Sequence, residues 1–262
     1  MPAPVPLRYF LLSLLPLLLI AGCEAPPAAV LDQQVYIWQR QWRAEHAQAL
    51  ADSRKDFSTL RVLAAQAHPG EGWITARIDN DLLRQDGRPL IAVIRLDGQL
   101  PSLDSAAVSQ KIQALVHTWQ ASGLNLRGVE IDHDCAERRL GAYAVFLQTL
   151  RTQVPADLPL SITALPAWLG SPALVQVLQN VDSSVLQVHA VSRPENGLFD
   201  PQQALRWAQA YAALSTKPFY LALPAYGVAL AGDGAVESEA PLPQGGRRRE
   251  VPVFQRHPLQ DI

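Results

Sequence analysis

Short apolar, β-branched runs recur along the chain, each followed by a segment in which apolar residues return every three or four positions. Val35–Gln39, Arg61–Gln66, Leu90–Asp97, Leu126–Asp134, Leu160–Pro166, Val185–Ala190 and Phe219–Tyr226 predict strands. Ala44–Lys55, Ala106–Ser122, Leu140–Val154, Pro172–Val181 and Pro201–Leu214 carry helical spacing. In the third of these, Leu140, Tyr143, Leu147, Leu150 and Val154 form the stripe that would be buried. Ser171-Pro172 and Asp200-Pro201 each put a capping side chain before a proline at the first helical position. Gly123 stands where a helix should stop.

Strand alternating with helix implies parallel strands joined by crossovers. No GxGxxG or GxxxxGK[ST] loop follows any strand, which removes the commonest reason to expect an open nucleotide-binding sheet. Polar residues gather instead at the strand ends: Gln39, Gln66, Arg95, Asp97, the run Glu130 to Asp134, Thr163, Gln187, His189 and Tyr226. An active face at the carboxyl ends of barrel strands needs that placement. The expected fold is therefore α/β, a (β/α)8 TIM-barrel-like domain over residues 35–227. Its eighth βα unit is expected to be missing or irregular. From Gly227 to Ile262 the chain is rich in Gly, Pro and charge, and Val251–Phe254 is the one short apolar run, so residues 228–262 read as an irregular tail.

Composition narrows the function classes. Of 262 residues, 48% are apolar and 18% charged, the balance of a globular protein. With 22 basic and 24 acidic side chains the net charge is −2, which argues against a nucleic-acid partner held by phosphate attraction. Two cysteines give neither a disulfide framework nor a paired-Cys zinc site.

The first 22 residues read as a leader and not as part of the fold. Arg8 is the only charge, and the apolar stretch Tyr9 to Ala21 is too short, and too broken by Pro16, for a spanning helix. It ends in Leu19-Ile20-Ala21-Gly22-Cys23, which resembles the lipobox of bacterial lipoproteins. That resemblance implies cleavage before Cys23 and lipidation of its thiol. Residues 23–34, with the Ala/Pro-rich piece Glu24 to Ala29, become a lipidated tether. Glu24 after the cysteine, by resemblance to enterobacterial sorting, favours the outer over the inner membrane, with the body facing the periplasm. Cys135 is then left without a partner and reads as a buried thiol.

Gly128-Val129-Glu130-Ile131-Asp132-His133-Asp134 carries the sharpest chemical signal. Alternation on a strand points Glu130, Asp132 and Asp134 to one side, and Val129 and Ile131 to the other. Three carboxylates stacked on one buried face are costly, and their mutual repulsion makes at least one hold a proton at neutral pH. A protonated carboxyl beside ionised ones is what general acid cleavage of a glycosidic bond uses. His133 and Cys135 alternate with the acids and should face the helices. Adjacent residues on opposite faces rarely chelate one ion, so no metal or other cofactor is expected.

This strand resembles the G-x-D-x-D-x-E end of strand four in glycoside hydrolase family 18, the chitinase-like barrels. Leu160 to Ala167, Val181 to His189 and Leu221 to Gly227 resemble that family's strands five, six and seven in order. Nearly the whole chain to about Glu239 is similar to a family of bacterial lipoproteins, the domain of unknown function 3142, through VYIWQR, VIRLDGQL, GVEIDHDC, LSITALPAWL, LQVHAV, LALPAYG and VESEAPL. The chitinase-like resemblance implies that Asp134 is the acid, that Asp132 orients the substrate's N-acetyl group, and that Glu130 is the inner carboxylate. It also implies that the substrate's own amide attacks the anomeric carbon. Asp134 replaces the family's Glu, His189-Ala190 stands where Tyr-Asp is usual, and no strand-eight Trp is evident; these departures argue against chitin itself as the substrate.

Around the acids, Arg95 is expected either to tune or to pair with Glu130, or to hold an anionic sugar, and Asp97 to contribute to the cleft. Trp168 is expected to stack on a sugar ring, as Trp38 and Trp73 can, while Gln187, His189 and Tyr226 offer hydrogen bonds. The reading is an envelope-anchored lipoprotein whose barrel acts on an oligosaccharide or envelope glycan through Asp134, Asp132 and Glu130. The alternative is a non-catalytic glycan-binding or scaffolding lipoprotein, and a more distant one is a metal-assisted hydrolase centred on His189.

Overall fold

The computed structural model describes residues 31–189 and 197–224, together with the backbone of 227–230, 236–240 and 254–256. The chain runs through β1 (Gln33–Ile37), α1 (Glu45–Ser53), β2 (Thr59–His68), β3 (Gly72–Thr75), α2 (Asn80–Asp86) and β4 (Leu90–Leu96). It continues through α3 (Ser105–Ala121), β5 (Leu126–Asp132), α4 (Leu140–Gln153), β6 (Leu160–Ala164), α5 (Ala173–Gln179) and β7 (Ser183–Gln187). It then passes through α6 (Pro201–Leu214) and β8 (Phe219–Ala222) to the short strands β9 (Gly227–Leu230), β10 (Val236–Ala240) and β11 (Phe254–Arg256).

Strands β1, β2, β4, β5, β6, β7 and β8 pair in parallel, in that order. Each expected strand lies in this set, and the fold is the expected α/β, TIM-barrel-like one. The eighth unit is irregular: among the described residues no parallel strand and helix follow β8, and β11 instead pairs antiparallel with both β8 and β1. Its first residue, Phe254, is the last of the apolar run expected in the tail.

Besides the antiparallel pair of β9 and β10 in the expected irregular tail, β3 and α2 went unforeseen. Strand β3 takes over the upper edge of β2, pairing Ala65–His68 with Gly72–Thr75, beyond Val62, where the pairing with β1 ends at Ile37. Helix α2 opens on Asp79, whose carboxylate accepts from the Leu82 N–H, and closes on Gly87 at φ +73°, a left-handed backbone that glycine adopts at no steric cost. Of the expected caps, Asp200 accepts from the N–H groups of Gln202 and Gln203. Ser171 does not cap: α5 begins at Ala173 with Pro172 before it and no side-chain bond to its N–H groups.

The main core lies between the strands' outer faces and the helices, where Leu60, Ile94, Ile131, Leu140, Leu147 and Ile162 are wholly buried. The barrel interior is different. A small apolar cluster of Tyr36, Val93, Val185 and Ala222 shares it with the buried polar side chains of Gln34, Arg61, Glu130, Asp132, Ser161 and Thr163. Polar groups in such a space must satisfy one another, since water is excluded from most of it.

Candidate active site

Strand β5 runs up the middle of the parallel sheet and delivers its acids at three depths. Glu130 lies deepest, with no exposed surface. Tyr36 Oη and Arg61 Nη1 donate to its two carboxylate oxygens, and Ser161 Oγ adds a bond of 3.3 Å. Arg61 in turn donates through Nε to Gln34 at 2.8 Å and lies over the rings of Tyr36 and Tyr220. Burial pushes the Glu130 carboxyl above the ordinary range, opposed by the guanidinium of Arg61. Burial also pulls against the charge on Arg61, but Glu130, together with Tyr36, Tyr220 and Asp32, more than restores it.

Asp132, one step up, is buried and held from both sides. Arg95 Nη1 donates to one oxygen at 2.9 Å and Thr163 Oγ1 to the other at 2.7 Å. Asp134 follows just past the strand's end and is about one third exposed. Arg95 Nη2 approaches it at 3.6 Å and Gln187 Nε2 donates at 3.4 Å, so one guanidinium spans two carboxylates. Burial first, and then the neighbouring charge of Asp132, push the Asp134 carboxyl up to about 6. The three acids therefore divide into a salt-bridged floor, a clamped middle and a proton-holding rim.

The alternation also holds on the other side of the strand. His133 is buried, its Nδ1 2.8 Å from the Leu96 carbonyl oxygen and its ring edge-on to Tyr143 of α4. Cys135 is buried as expected, and burial pushes its thiol up to about 11, far from a reactive thiolate.

The loop after β4 closes against the rim. A Cβ on Gly98 would stand 2.0 Å from the Asp134 carbonyl oxygen, so only glycine permits this approach. Arg139 ties the loop down, donating to the carbonyls of Gly98 at 2.9 Å, Leu100, and Pro101 at 3.2 Å. Between loop and rim lies a cleft of about 540 Å³ lined by Arg95, Asp97, Gly98, Gln99, Asp134, Ala136, Arg138 and Arg139.

Glu130, Asp132, Asp134, Arg95 and Gln187 are thus brought together, and Asp97 lines the same cleft. Asp97 pairs with His68 at 3.2 Å, and the Gln99 N–H, then His68, hold its carboxyl below the usual range. Two expectations are corrected. Glu130's partner is Arg61 and not Arg95, because Arg61 shares its depth in the barrel while Arg95 stands one step higher, opposite Asp132. Trp168 does not line the cleft: it is fully buried, donating its indole N–H to the Cys135 carbonyl at 2.9 Å. The aromatic at the mouth is Trp38, partly exposed, stacked on Tyr36 with centroids 5.0 Å apart, with Arg95 over its ring.

His189 sits just past β7, half-buried, and burial pushes its imidazole below the ordinary value. Among the described residues, no group of three or more His, Cys, Asp or Glu is arranged to hold a metal ion. Tyr226 and Cys23 lie outside the described residues. Arg61 and Tyr36 escaped the sequence reading as site residues. A charged side chain inside the apolar run Leu60-Arg61-Val62-Leu63 was the available signal.

The family described as "Domain of unknown function (DUF3142)" matches residues 86–258. No curated protein matches the sequence. Among solved structures, a chitinase from Bacteroides thetaiotaomicron superposes with a TM-score of 0.60 at 12% identity, over 81% of this chain and 74% of that one. The spore cortex-lytic enzyme SleL of Bacillus cereus superposes at 0.58 and 15% identity, over 88% of this chain. The chain spans 57% of that enzyme's length. The xylanase and alpha-amylase inhibitor protein XAIP-II from Scadoxus multiflorus superposes at 0.52 and 13% identity, over 82% of this chain and 84% of that one. At such identities the likeness shows the fold alone, a TIM-barrel-like one shared with these proteins.

Proposed function

The chain belongs to the DUF3142 family, and we propose that it is a glycan-acting protein, lipid-anchored through Cys23 in the outer membrane with its barrel facing the periplasm. The anchor rests on Leu19-Ile20-Ala21-Gly22-Cys23. The glycan reading rests on one observation above the others. At the mouth of a glycoside-hydrolase-like barrel, Asp134 carries a proton up to about pH 6 beside the clamped carboxylate of Asp132.

In this reading Asp134 gives its proton to the glycosidic oxygen as the bond from that oxygen to the anomeric carbon breaks. Asp132, fixed by Arg95 and Thr163, presents its charge to the substrate's N-acetyl amide, whose oxygen takes the place of the leaving group. The ionised Asp134 then accepts a proton from the water that opens this intermediate. Trp38 offers apolar surface to a sugar at the mouth, and Gln187 orients Asp134.

A second reading, glycan binding without turnover, draws support from the clamps. Glu130 is locked to Arg61 and Asp132 to Arg95, which leaves neither carboxylate free to turn during a reaction. The same fold also serves an inhibitor protein.

The test is turnover and binding of N-acetylated oligosaccharides by wild type and Asp134→Asn. The catalytic reading expects hydrolysis that declines above about pH 6 in wild type and falls at least ~100-fold in the variant, with binding retained. Binding by both proteins with hydrolysis by neither leaves only the second reading. No binding of any glycan overturns both.

A further inference from the structure

One wall of the cleft carries positive charge that no carboxylate among the described residues neutralises. Arg138 and Arg139 both line the cleft. Among the described residues, no carboxylate stands within ion-pair distance of either, although both face a cleft whose rim carries Asp97 and Asp134. The cleft's own acids are already engaged. Asp97 is occupied by His68 and the Gln99 N–H, and Asp134 by Arg95 and Gln187.

Arg139 is half-buried, and its guanidinium is fixed by the carbonyls of Gly98, Leu100 and Pro101. Carbonyls orient a guanidinium without cancelling its charge, so the wall is a rigid cationic surface. Arg138, one residue earlier, is exposed and can meet an incoming ligand. A neutral sugar gains little from two such cations, whereas a carboxylate or phosphate gains charge-assisted hydrogen bonds.

We infer that this wall receives an anionic substituent on the glycan, a carboxylate or a phosphate carried by a sugar next to the bond at Asp134. The inference rests on the glycan reading above and names the substrate class of that site. Arg138 is the specificity-determining contact, and Arg139 the fixed cation behind it.

The experiment measures affinities of the full folded chain for three probes at low salt. These are a neutral N-acetylglucosamine tetrasaccharide, an alternating N-acetylglucosamine–N-acetylmuramic acid tetrasaccharide, and a tetrasaccharide bearing one sugar phosphate. At least one acidic probe is expected to bind ~10-fold or more tightly than the neutral one, and which does so separates carboxylate from phosphate. The preference should shrink with added salt, fall to about threefold or less in Arg138→Gln, and reverse in Arg138→Glu. Equal affinities for neutral and acidic probes overturn the inference and leave the glycan reading standing. So does an acidic preference unchanged in both Arg138 variants. Failure of all three probes to bind overturns the glycan reading itself, and this inference with it.

Discussion

Replacing Arg61 with Met removes the guanidinium bonded to Glu130 while keeping most of the apolar stem's volume. Both partners are almost wholly enclosed, with side-chain exposures of 3% for Arg61 and 0% for Glu130. The variant leaves a carboxylate in a dry interior with only Tyr36 and Ser161 as donors. Breaking a buried pair from one side typically costs about 3–5 kcal/mol. For a barrel of this size that is roughly 2–4 °C in melting temperature per kcal/mol, a fall of about 6–20 °C. The pH dependence gives the sharper check. Glu130 already sits above the ordinary range through burial, and losing Arg61 raises it further. A carboxyl raised in the folded state favours folding below its unfolded value and loses that contribution as pH rises through the folded value. Arg61→Met should therefore be most destabilised near neutrality and recover toward pH 4–5. The double variant Arg61→Met, Glu130→Gln should regain most of the loss at pH 7. Thermal and urea melts across pH decide it. A single variant within about 1 kcal/mol of wild type at pH 7, or a double variant no better than the single, would refute the argument.

Further outcomes follow from the same geometry. Gly98→Ala drives a methyl to 2.0 Å from the Asp134 backbone carbonyl oxygen, so the backbone there must shift; the melting temperature should fall and glycan affinity or turnover drop roughly 100-fold, and a change confined to stability would contradict the link to the site. Arg95→Gln removes a charge that lowers the Asp134 carboxyl, so its titration, followed by carbon NMR, should move upward from about 6. Because Asp134 is raised in the fold, it favours folding at low pH and loses that contribution through about 6. Asp134→Asn should then melt above wild type at pH 8 but not at pH 4. Arg88, buried, donates to Asp86 at 2.7 and 2.8 Å and to the Leu50 carbonyl at 2.9 Å; Arg88→Met should cost about 3–5 kcal/mol in urea melts. Burial alone would raise Asp86, but Arg88 holds it low, so its contribution is present at neutral pH and lost on acidification, a sensitivity the variant should lack.

The sequence displayed the barrel through period rather than composition. Seven apolar runs, each ending in polar residues, carried both the parallel sheet and the location of its active end. Asp132 and Asp134 were legible because alternation on β5 is a local rule. The partner of Glu130 was not, because Arg61 and Glu130 stand 69 positions apart and meet only through the register of three strands, β2, β4 and β5. Trp168 misled for a related reason. A strand-end aromatic can turn toward the cleft or the core, and only the Cys135 carbonyl, waiting in the interior, decides it. Helix α2 had a cap at Asp79 and a stop at Gly87, but a span of seven residues offers too few turns for periodicity to register. The closure by β11 was hidden by direction: a three-residue antiparallel strand has no helix before it to announce its place.

On β5, successive residues serve opposite masters, and this binds the chemistry of the molecule to its architecture. His133 and Cys135 are wedged among Tyr143, Trp168 and the Leu96 carbonyl, while their immediate neighbours present the acids. A replacement made behind the strand therefore shifts the groups in front of it, with no ligand contact involved. Variation that alters what the barrel accepts is expected to accumulate in the Asp97–Leu100 and Ala136–Arg139 loops, leaving the span from Glu130 to Cys135 to change only in concert with its backing.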